Sequence, residues 1–211
     1  RDRRSSAYYP SLGSYLEVKS RSSTFAPRLR WTGALGQADV SIVAGADLAD
    51  WDYQRRIAAN PSSIGSPFSR TDGSQSNRAF YVQANARITP ATKLAGGWRS
   101  QRVQDDLSNS FGGAGPLQHQ TRSARAVEIG LHHLLGERLA VFGKLGTSFR
   151  FASEDENGYT ASGSLLEPQT ARQREAGIEY RANGSRVRAT LYAIDLDNEI
   201  YFSPLVVPFG A

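Results

Sequence analysis

The chain contains no cysteine and no methionine, and only three histidines, among its 211 residues. The absence of cysteine excludes a disulfide framework and a thiolate metal site. Without methionine there is no initiator residue, and no apolar leader core follows the opening residues, Arg1 to Arg4. We therefore interpret the sequence as a piece of a longer protein. The alternative is a mature chain left after signal cleavage.

Long apolar runs are also missing, and the mean hydropathy is −0.45. No stretch approaches the roughly 20 apolar residues that a membrane-spanning helix needs, which excludes a helical membrane protein. A β-barrel is not excluded, because barrel strands alternate lipid-facing and lumen-facing residues and keep a modest mean hydropathy. The net charge of +5 comes largely from arginine. These arginines are spread singly rather than clustered, so we do not expect nucleic-acid binding.

The strongest pattern present is the alternation of apolar and polar residues. Phe80, Val82 and Ala84 alternate with Tyr81 and Gln83, for example. Such runs predict about eight strands, at roughly 15–32, 37–54, 77–89, 92–104, 121–135, 138–152, 168–182 and 185–202. Pro27 lies inside the first of these, which is unfavourable for a fully paired strand.

The predicted connections alternate between short and long. The short ones are residues 33–36, 89–91, 136–137 and 183–184, and the last is an Asn-Gly hairpin turn. The long ones, rich in polar residues and glycine, are residues 55–76, 105–120 and 153–167. Short turns on one side and long loops on the other are typical of outer-membrane barrels. The predicted fold class is therefore all-β, an antiparallel up-and-down transmembrane β-barrel segment.

No group of residues predicts catalysis, a metal site or a cofactor. His132 and His133 are adjacent on a strand, so they point to opposite faces and do not chelate one ion together. Glu154, Asp155 and Glu156 could bind a hard cation, but a solvated acidic loop tip is the favoured interpretation. We do not expect an enzyme.

Alternation also predicts which polar side chains face the lumen. They are Gln83, Asn85, Arg87, Arg99, Lys144, Arg150, Glu175 and Glu179. So many long charged side chains favour a wide barrel that holds water or a polar plug over a narrow barrel filled by side chains.

Four segments together resemble the barrel of TonB-dependent outer-membrane receptors. Residues 166–180 resemble the family's Leu-x-Pro-Glu-Thr element and the strand after it, with Gln169 in place of the usual Glu. Residues 197–201 are similar to its Asp-x-Ile-Tyr strand end, and residues 43–48 to its Gly-x-Asp strand. Residues 81–99 resemble a strand–turn–strand unit ending in Gly-hydrophobic-Arg. The resemblance covers about residues 37–202.

The resemblance implies a barrel of about 22 strands around an N-terminal plug. It implies uptake of a scarce, large ligand such as a ferric siderophore, energised through TonB, in a Gram-negative outer membrane. Residues 1–211 would then be part of the barrel domain, without the plug or the TonB box. The implied partners are outer-membrane lipid, the missing plug and remaining strands, and TonB through that plug.

Tyr53, Arg55 and Arg56 are our candidates for contacts with an anionic ligand, since arginine suits carboxylate and phosphate. The alternative is that they only keep a loop soluble. Two other functions remain open. A complete eight-stranded adhesin or structural barrel would bond its first strand to its last. A soluble lipid-binding barrel would turn its apolar face inward and expose Arg87, Arg99 and Arg150.

Overall fold

The computed structural model describes residues 1–111, 117–157, 165–182 and 184–201. They form one antiparallel sheet of ten strands. These are β1 (Asp2–Tyr9), β2 (Ser14–Phe25), β3 (Arg28–Leu35), β4 (Ala38–Ala58), β5 (Ser69–Arg87), β6 (Thr92–Phe111), β7 (Leu117–Leu134), β8 (Leu139–Arg150), β9 (Gln169–Ala182) and β10 (Ser185–Asp197). Single helical turns lie at Pro10–Leu12, Pro61–Ser63 and Glu154–Asn157, the last of which we call α1. Within the described residues, no helix is both long and apolar enough to cross a bilayer.

Strands neighbouring in the chain pair with each other, except β2 and β3, which both pair with β4. This up-and-down order confirms the predicted fold class. The sheet is open: in the part of the chain that the structure describes, β1 bonds only to β2 and β10 only to β9. The small closed barrel required these first and last strands to bond to each other, so the structure contradicts that alternative.

The predicted strand at 15–32 is two collinear strands interrupted at Ala26 and Pro27. β2 ends with Phe25 opposite Leu48, and β3 begins with Arg28 opposite Gly45. Proline has no backbone N–H to donate to the ladder. Its carbonyl still accepts a hydrogen bond from Ala46 N at 3.0 Å, so the register with β4 continues across the break.

β1 was not predicted. Its residues are charged, small or tyrosine, without the apolar alternation that marked the other strands. It forms because β2 offers a strand edge, and the two pair from Asp2 with Arg21 to Tyr9 with Ser14.

Two of the three predicted long loops are wrong. β4 continues to Ala58 and β5 starts at Ser69, while β6 continues to Phe111 and β7 starts at Leu117. The backbone ladders persist there, but both faces carry polar residues, so alternation no longer reveals a strand. The last predicted strand also ends earlier, at Asp197. The third predicted long connection agrees with the structure, since β8 ends at Arg150 and β9 starts at Gln169. The Asn183 part of the predicted Asn-Gly turn lies outside the described residues. Gly184 adopts φ 75°, a left-handed conformation that favours glycine.

Cross-strand partners in the ladder project to the same face of a sheet, which defines two faces here. The inner face carries Tyr81, Arg99 and Lys144, and the outer face carries Val82, Trp98 and Val127. We call the end of the sheet where β4, β6 and β8 begin the lower end.

The lower part of the outer face is an apolar band. Its larger members are Leu29, Trp31, Val40, Ile42, Leu48, Phe80, Val82, Leu94, Trp98, Val127, Ile129, Leu131, Leu145, Ile178, Val187 and Leu191. From β4 to β9, the uppermost apolar residue of each strand lies either directly opposite that of the preceding strand or two residues lower in the register. Such a stepwise shift is what tilted strands require.

The outer face carries the exposed side chains of the apolar band, while most of the buried side chains of the sheet lie on the inner face. Leu29 and Leu191 of the apolar band are 74% and 83% exposed, whereas Ala79 and Val103 of the inner face are 0% and 1% exposed. The soluble lipid-binding barrel required the apolar face to be the buried one, so that alternative is contradicted. Arg87 and Arg150 are exposed as well, but an open sheet leaves both faces accessible and their exposure does not discriminate.

Candidate functional site: the inner face

The structure places all eight predicted lumen-facing residues on the inner face. Gln83, Asn85 and Arg87 come from β5, and Arg99 comes from β6. Lys144 and Arg150 come from β8, and Glu175 and Glu179 from β9. The strand register places several of them beside each other; Lys144 lies directly opposite Glu175, for example. Their contact with a lumen or a plug stays a prediction.

Ion pairs link these side chains across strands. Arg99 Nη1 lies 2.6 Å from Asp47 Oδ2, a contact that passes over the intervening strand β5. Lys144 Nζ lies 2.5 Å from Glu128 Oε2. Sequence reasoning missed Asp47 and Glu128 as partners, although their alternation phase already places them on the same face. Paired charges allow a densely charged wall to persist without isolated ions.

The carboxylate of Glu179 is only 2% exposed and pairs with two arginines, Arg181 at 2.5 Å and Arg186. Glu175 pairs with Arg188 at 3.1 Å. These contacts fix the lower ends of β9 and β10 to each other through their inner-face side chains.

Two arginines of the wall are supported by an aromatic ring that lies over a glycine. The guanidinium of Arg188 stands 3.8 Å from the centre of the Phe142 ring, and that ring covers Gly177. A Cβ at Gly177 would collide with the ring, so a glycine is required there.

Tyr81 and Gly45 repeat the arrangement for Arg99. The guanidinium lies 5.9 Å from the Tyr81 ring centre, and a Cβ at Gly45 would come within 2.6 Å of the tyrosine oxygen. Ring stacking and ion pairing together orient each arginine.

A cavity of about 610 Å³ occupies the lower inner face. Its lining holds four cations, Arg87, Lys93, Lys144 and Arg188, against two carboxylates, Asp39 and Glu175. An excess of positive charge in a recess suits an anionic partner. Among the described residues, no group of three or more His, Asp or Glu could hold a metal ion.

The three predicted ligand contacts are not brought together. Tyr53 and Arg55 lie on the upper inner face and are 8% and 6% exposed, whereas Arg56 lies on the outer face, close to Asp72. Successive side chains of a strand point to opposite faces, which explains the separation. Arg55 Nη2 donates to Thr71 Oγ1 at 3.1 Å.

The connection after β8 folds over the upper inner face. Gln75 Nε2 donates to Asp105 Oδ1 at 2.8 Å and to the carbonyl of Ala152 at 3.3 Å. Asn157 Oδ1 accepts from Leu166 N at 2.9 Å, and Leu165 is 8% exposed. We call residues 151–157 and 165–168 the covering segment.

Glu156 anchors the covering segment, which corrects its interpretation as part of a solvated acidic tip; the side chains of Glu154 and Asp155 lie outside the described part of the chain. Its carboxylate accepts from Ser153 N at 2.8 Å and from Arg150 Nη1 at 2.8 Å. Ser153 Oγ in turn accepts from Glu156 N, so Ser-x-x-Glu forms a capping box for α1. That motif was readable in the sequence. Burial acts to raise the pKa of Glu156, but the Ser153 amide and the Arg150 guanidinium outweigh it and the pKa is lowered.

Comparison with known proteins agrees with this architecture. A family model described as TonB dependent receptor-like, beta-barrel, matches residues 1–211. Comparison with curated protein sequences gives no match.

Several solved structures share the fold at low sequence identity. The alcaligin outer membrane receptor FauA from Bordetella pertussis is 15% identical with a TM-score of 0.69, over 92% of this chain and 32% of that one. The ferric-catecholate import receptor Fiu from E. coli K12, in its open form, is 15% identical with a TM-score of 0.67, over 87% of this chain and 32% of that one. The copper transporter OprC is 16% identical with a TM-score of 0.71, over 90% of this chain and 32% of that one.

This chain thus spans about a third of the length of the receptors whose structures it resembles. Its ten strands form the same kind of open, two-faced wall that such an arc of barrel requires. With the family model matching every residue from 1 to 211, the chain belongs to the TonB-dependent receptor β-barrel family.

Proposed function

We propose that this chain is part of an outer-membrane receptor that imports a scarce, large ligand of the ferric-siderophore kind. The observation that carries the proposal is the family match over residues 1–211, combined with strands that are apolar on one face and charged on the other. Energy for import would come through TonB. No catalytic role is part of the proposal.

The apolar band supports placement in the outer membrane of a Gram-negative bacterium. Exposed side chains such as Leu29, Ile129 and Leu191 need an apolar surrounding, and lipid supplies it. In β4 the band runs from Ala38 to Leu48, which matches the roughly 9–11 residues that a tilted strand needs to cross a bilayer.

The inner face supports contact with a plug contributed by the full-length receptor. Its ion-paired wall and the 610 Å³ cavity present orientated cations, among them Arg87, Lys144 and Arg188. We propose that Gln83, Asn85, Arg99, Arg150, Glu175 and Glu179 belong to the same plug-facing wall.

For the ligand itself, we propose contacts with Tyr53 and Arg55 on the upper inner face. Both are held rigidly, since the ring of Trp51 packs on Tyr53 at 5.4 Å between ring centres and Thr71 accepts from Arg55. Arg56 faces the other way and is not part of this proposed surface. FauA and Fiu are described as receptors for alcaligin and ferric catecholate, and OprC as a copper transporter. We therefore propose an iron complex as the first candidate ligand and copper as the second.

The test is uptake by cells that carry the full-length receptor gene, compared with a deletion strain. Under iron limitation we expect the deletion to abolish uptake of one radiolabelled ferric siderophore from a panel, and a strain lacking TonB to show the same loss. A parallel measurement with copper tests the second ligand class. Uptake of every iron and copper ligand at wild-type rates in the deletion strain would contradict the proposal.

A further inference from the structure

Arginines occur on the outer face directly above the apolar band. Arg125 is the outer-face residue that precedes Val127 in β7, and Arg174 holds the same position before Ala176 in β9. Arg102 lies two outer-face positions beyond Trp98 in β6. We call Arg102, Arg125 and Arg174 the arginine belt. All three side chains are exposed.

The arginine belt has no protein partner within the described ranges. Neighbouring outer-face arginines differ, since Arg78 pairs with Asp50 at 3.0 Å and Arg70 pairs with Asp72. The belt members make no ion pair or hydrogen bond with any described residue, although the same face carries Asp50 on β4, Asp106 on β6 and Asp195 on β10. The three guanidinium groups are therefore not neutralised by any described side chain.

The position of the belt determines what can neutralise it. An arginine at the edge of an apolar band lays its methylene stem over the band and holds its guanidinium at the level of the lipid headgroups. A guanidinium binds phosphate oxygens in a bidentate fashion. Arg102 lies opposite Ser123, which places it diagonally from Arg125, with Cβ atoms about 7–8 Å apart. Two long side chains at that spacing can reach one phosphate group.

We propose that the arginine belt binds the phosphate groups of lipid headgroups in the leaflet at the upper edge of the apolar band. This binding rests on the proposed outer-membrane placement of the apolar band and is independent of transport. Phosphate-bearing lipids would be held against β6, β7 and β9, which carry the three arginines at the membrane boundary, and not against β4, where Asp50 and Asp52 share the same level.

The experiment uses the full-length receptor, purified and reconstituted in nanodiscs that contain phosphatidic acid and phosphatidylcholine. Native mass spectrometry counts the lipids that stay bound as collision energy rises. The wild type should retain phosphatidic acid in preference to phosphatidylcholine. We expect the preference to fall about fivefold for each arginine replaced in the variant R102Q/R125Q/R174Q. Inorganic phosphate added as a competitor should not abolish it if the whole lipid is bound.

The matched control is R3Q/R28Q/R30Q, which removes the same charge from exposed arginines of the inner face. It should keep the preference of the wild type. If the triple belt variant does not fold, the single variant R125Q and its charge-preserving counterpart R125K give the same comparison. Equal phosphatidic acid preference in wild type and belt variants, or equal loss in the control, would overturn the proposal. Uptake plays no part in this measurement, so a failure of the lipid-binding proposal can be distinguished from a failure of the transport proposal.

Discussion

The lower and upper parts of the same strands obey different rules. In the lower part of β5, Phe80 and Val82 are apolar and exposed on the outer face, while Tyr81 and Gln83 are polar and face inward. In the upper part, Asp72 and Ser74 of the outer face are as polar as the inner face. Hydrogen bonding is continuous through both parts, with β4 and β5 paired from Asp39 to Ile57. The backbone ladder therefore sets the strand, and the medium around the outer face sets its composition.

We expect the largest change in the free energy of unfolding when a charge is introduced in the lower part of a strand, and little change in the upper part of the same strand. In β7, Ile129 lies near the middle of the apolar band and Thr121 lies above it on the same face. We expect Ile129→Arg to lower the free energy of unfolding by about 2–4 kcal/mol, because a charge then faces the bilayer interior. Denaturant unfolding of the full-length receptor in lipid vesicles measures it.

Thr121→Arg is the control and should change that free energy by less than about 0.5 kcal/mol, since its side chain faces water. Equal losses for the two variants would show that the outer face of β7 does not divide at the upper edge of the apolar band.

The same difference explains what could be predicted from the sequence. Alternation located the lower part of every strand from β3 to β10, because lipid on one side imposes an apolar residue at every second position. Above the band both faces tolerate polar residues, so the upper ends of β4 to β7 and all of β1 carry no periodic signal. Pro27 correctly marked a break in pairing but not its consequence, two collinear strands.

For the candidate site, alternation assigned faces but not partners. It placed Arg99 and Lys144 on the inner face, yet their pairing with Asp47 and Glu128 depends on register across strands, which a single sequence leaves open. Arg56 was grouped with Arg55 although one residue of separation puts them on opposite faces. Folding of the covering segment onto Gln75 is a long-range contact with no periodic signal of its own.

A smaller effect is expected in the coupling free energies of two ion pairs, one below and one above the level of the apolar band's upper edge. Asp47 and Arg99 are each about one third exposed, and an aromatic ring supports the guanidinium. Asp50 and Arg78 lie on the outer face above the band and are 61% and 44% exposed. A double-mutant cycle with Asp47→Asn and Arg99→Gln should give a coupling of about 0.5–1 kcal/mol, because partial burial reduces screening.

The matching cycle with Asp50→Asn and Arg78→Gln should give a coupling close to zero, since water and salt screen that pair. Unfolding in vesicles at low and high salt provides both numbers. A larger coupling for the outer pair would reverse the comparison.

The smallest effect concerns the covering segment, which belongs entirely to the upper part. The pKa of Glu156 is lowered below its ordinary value of 4.5, because contacts with Ser153 and Arg150 outweigh the opposing effect of burial. A carboxyl whose pKa is lower in the folded state stabilises the folded segment above its unfolded pKa and loses that contribution as pH falls through the folded pKa. Hydrogen exchange at the Leu166 amide, corrected for its intrinsic pH dependence, should therefore show high protection at pH 6 and weaker protection below the ordinary carboxyl range. Glu156→Gln removes the titrating group and should give weak protection at both pH values. Protection in the wild type that stays constant across this range would mean that Glu156 does not hold the segment, and that the acid-sensitive contact lies elsewhere in the upper part.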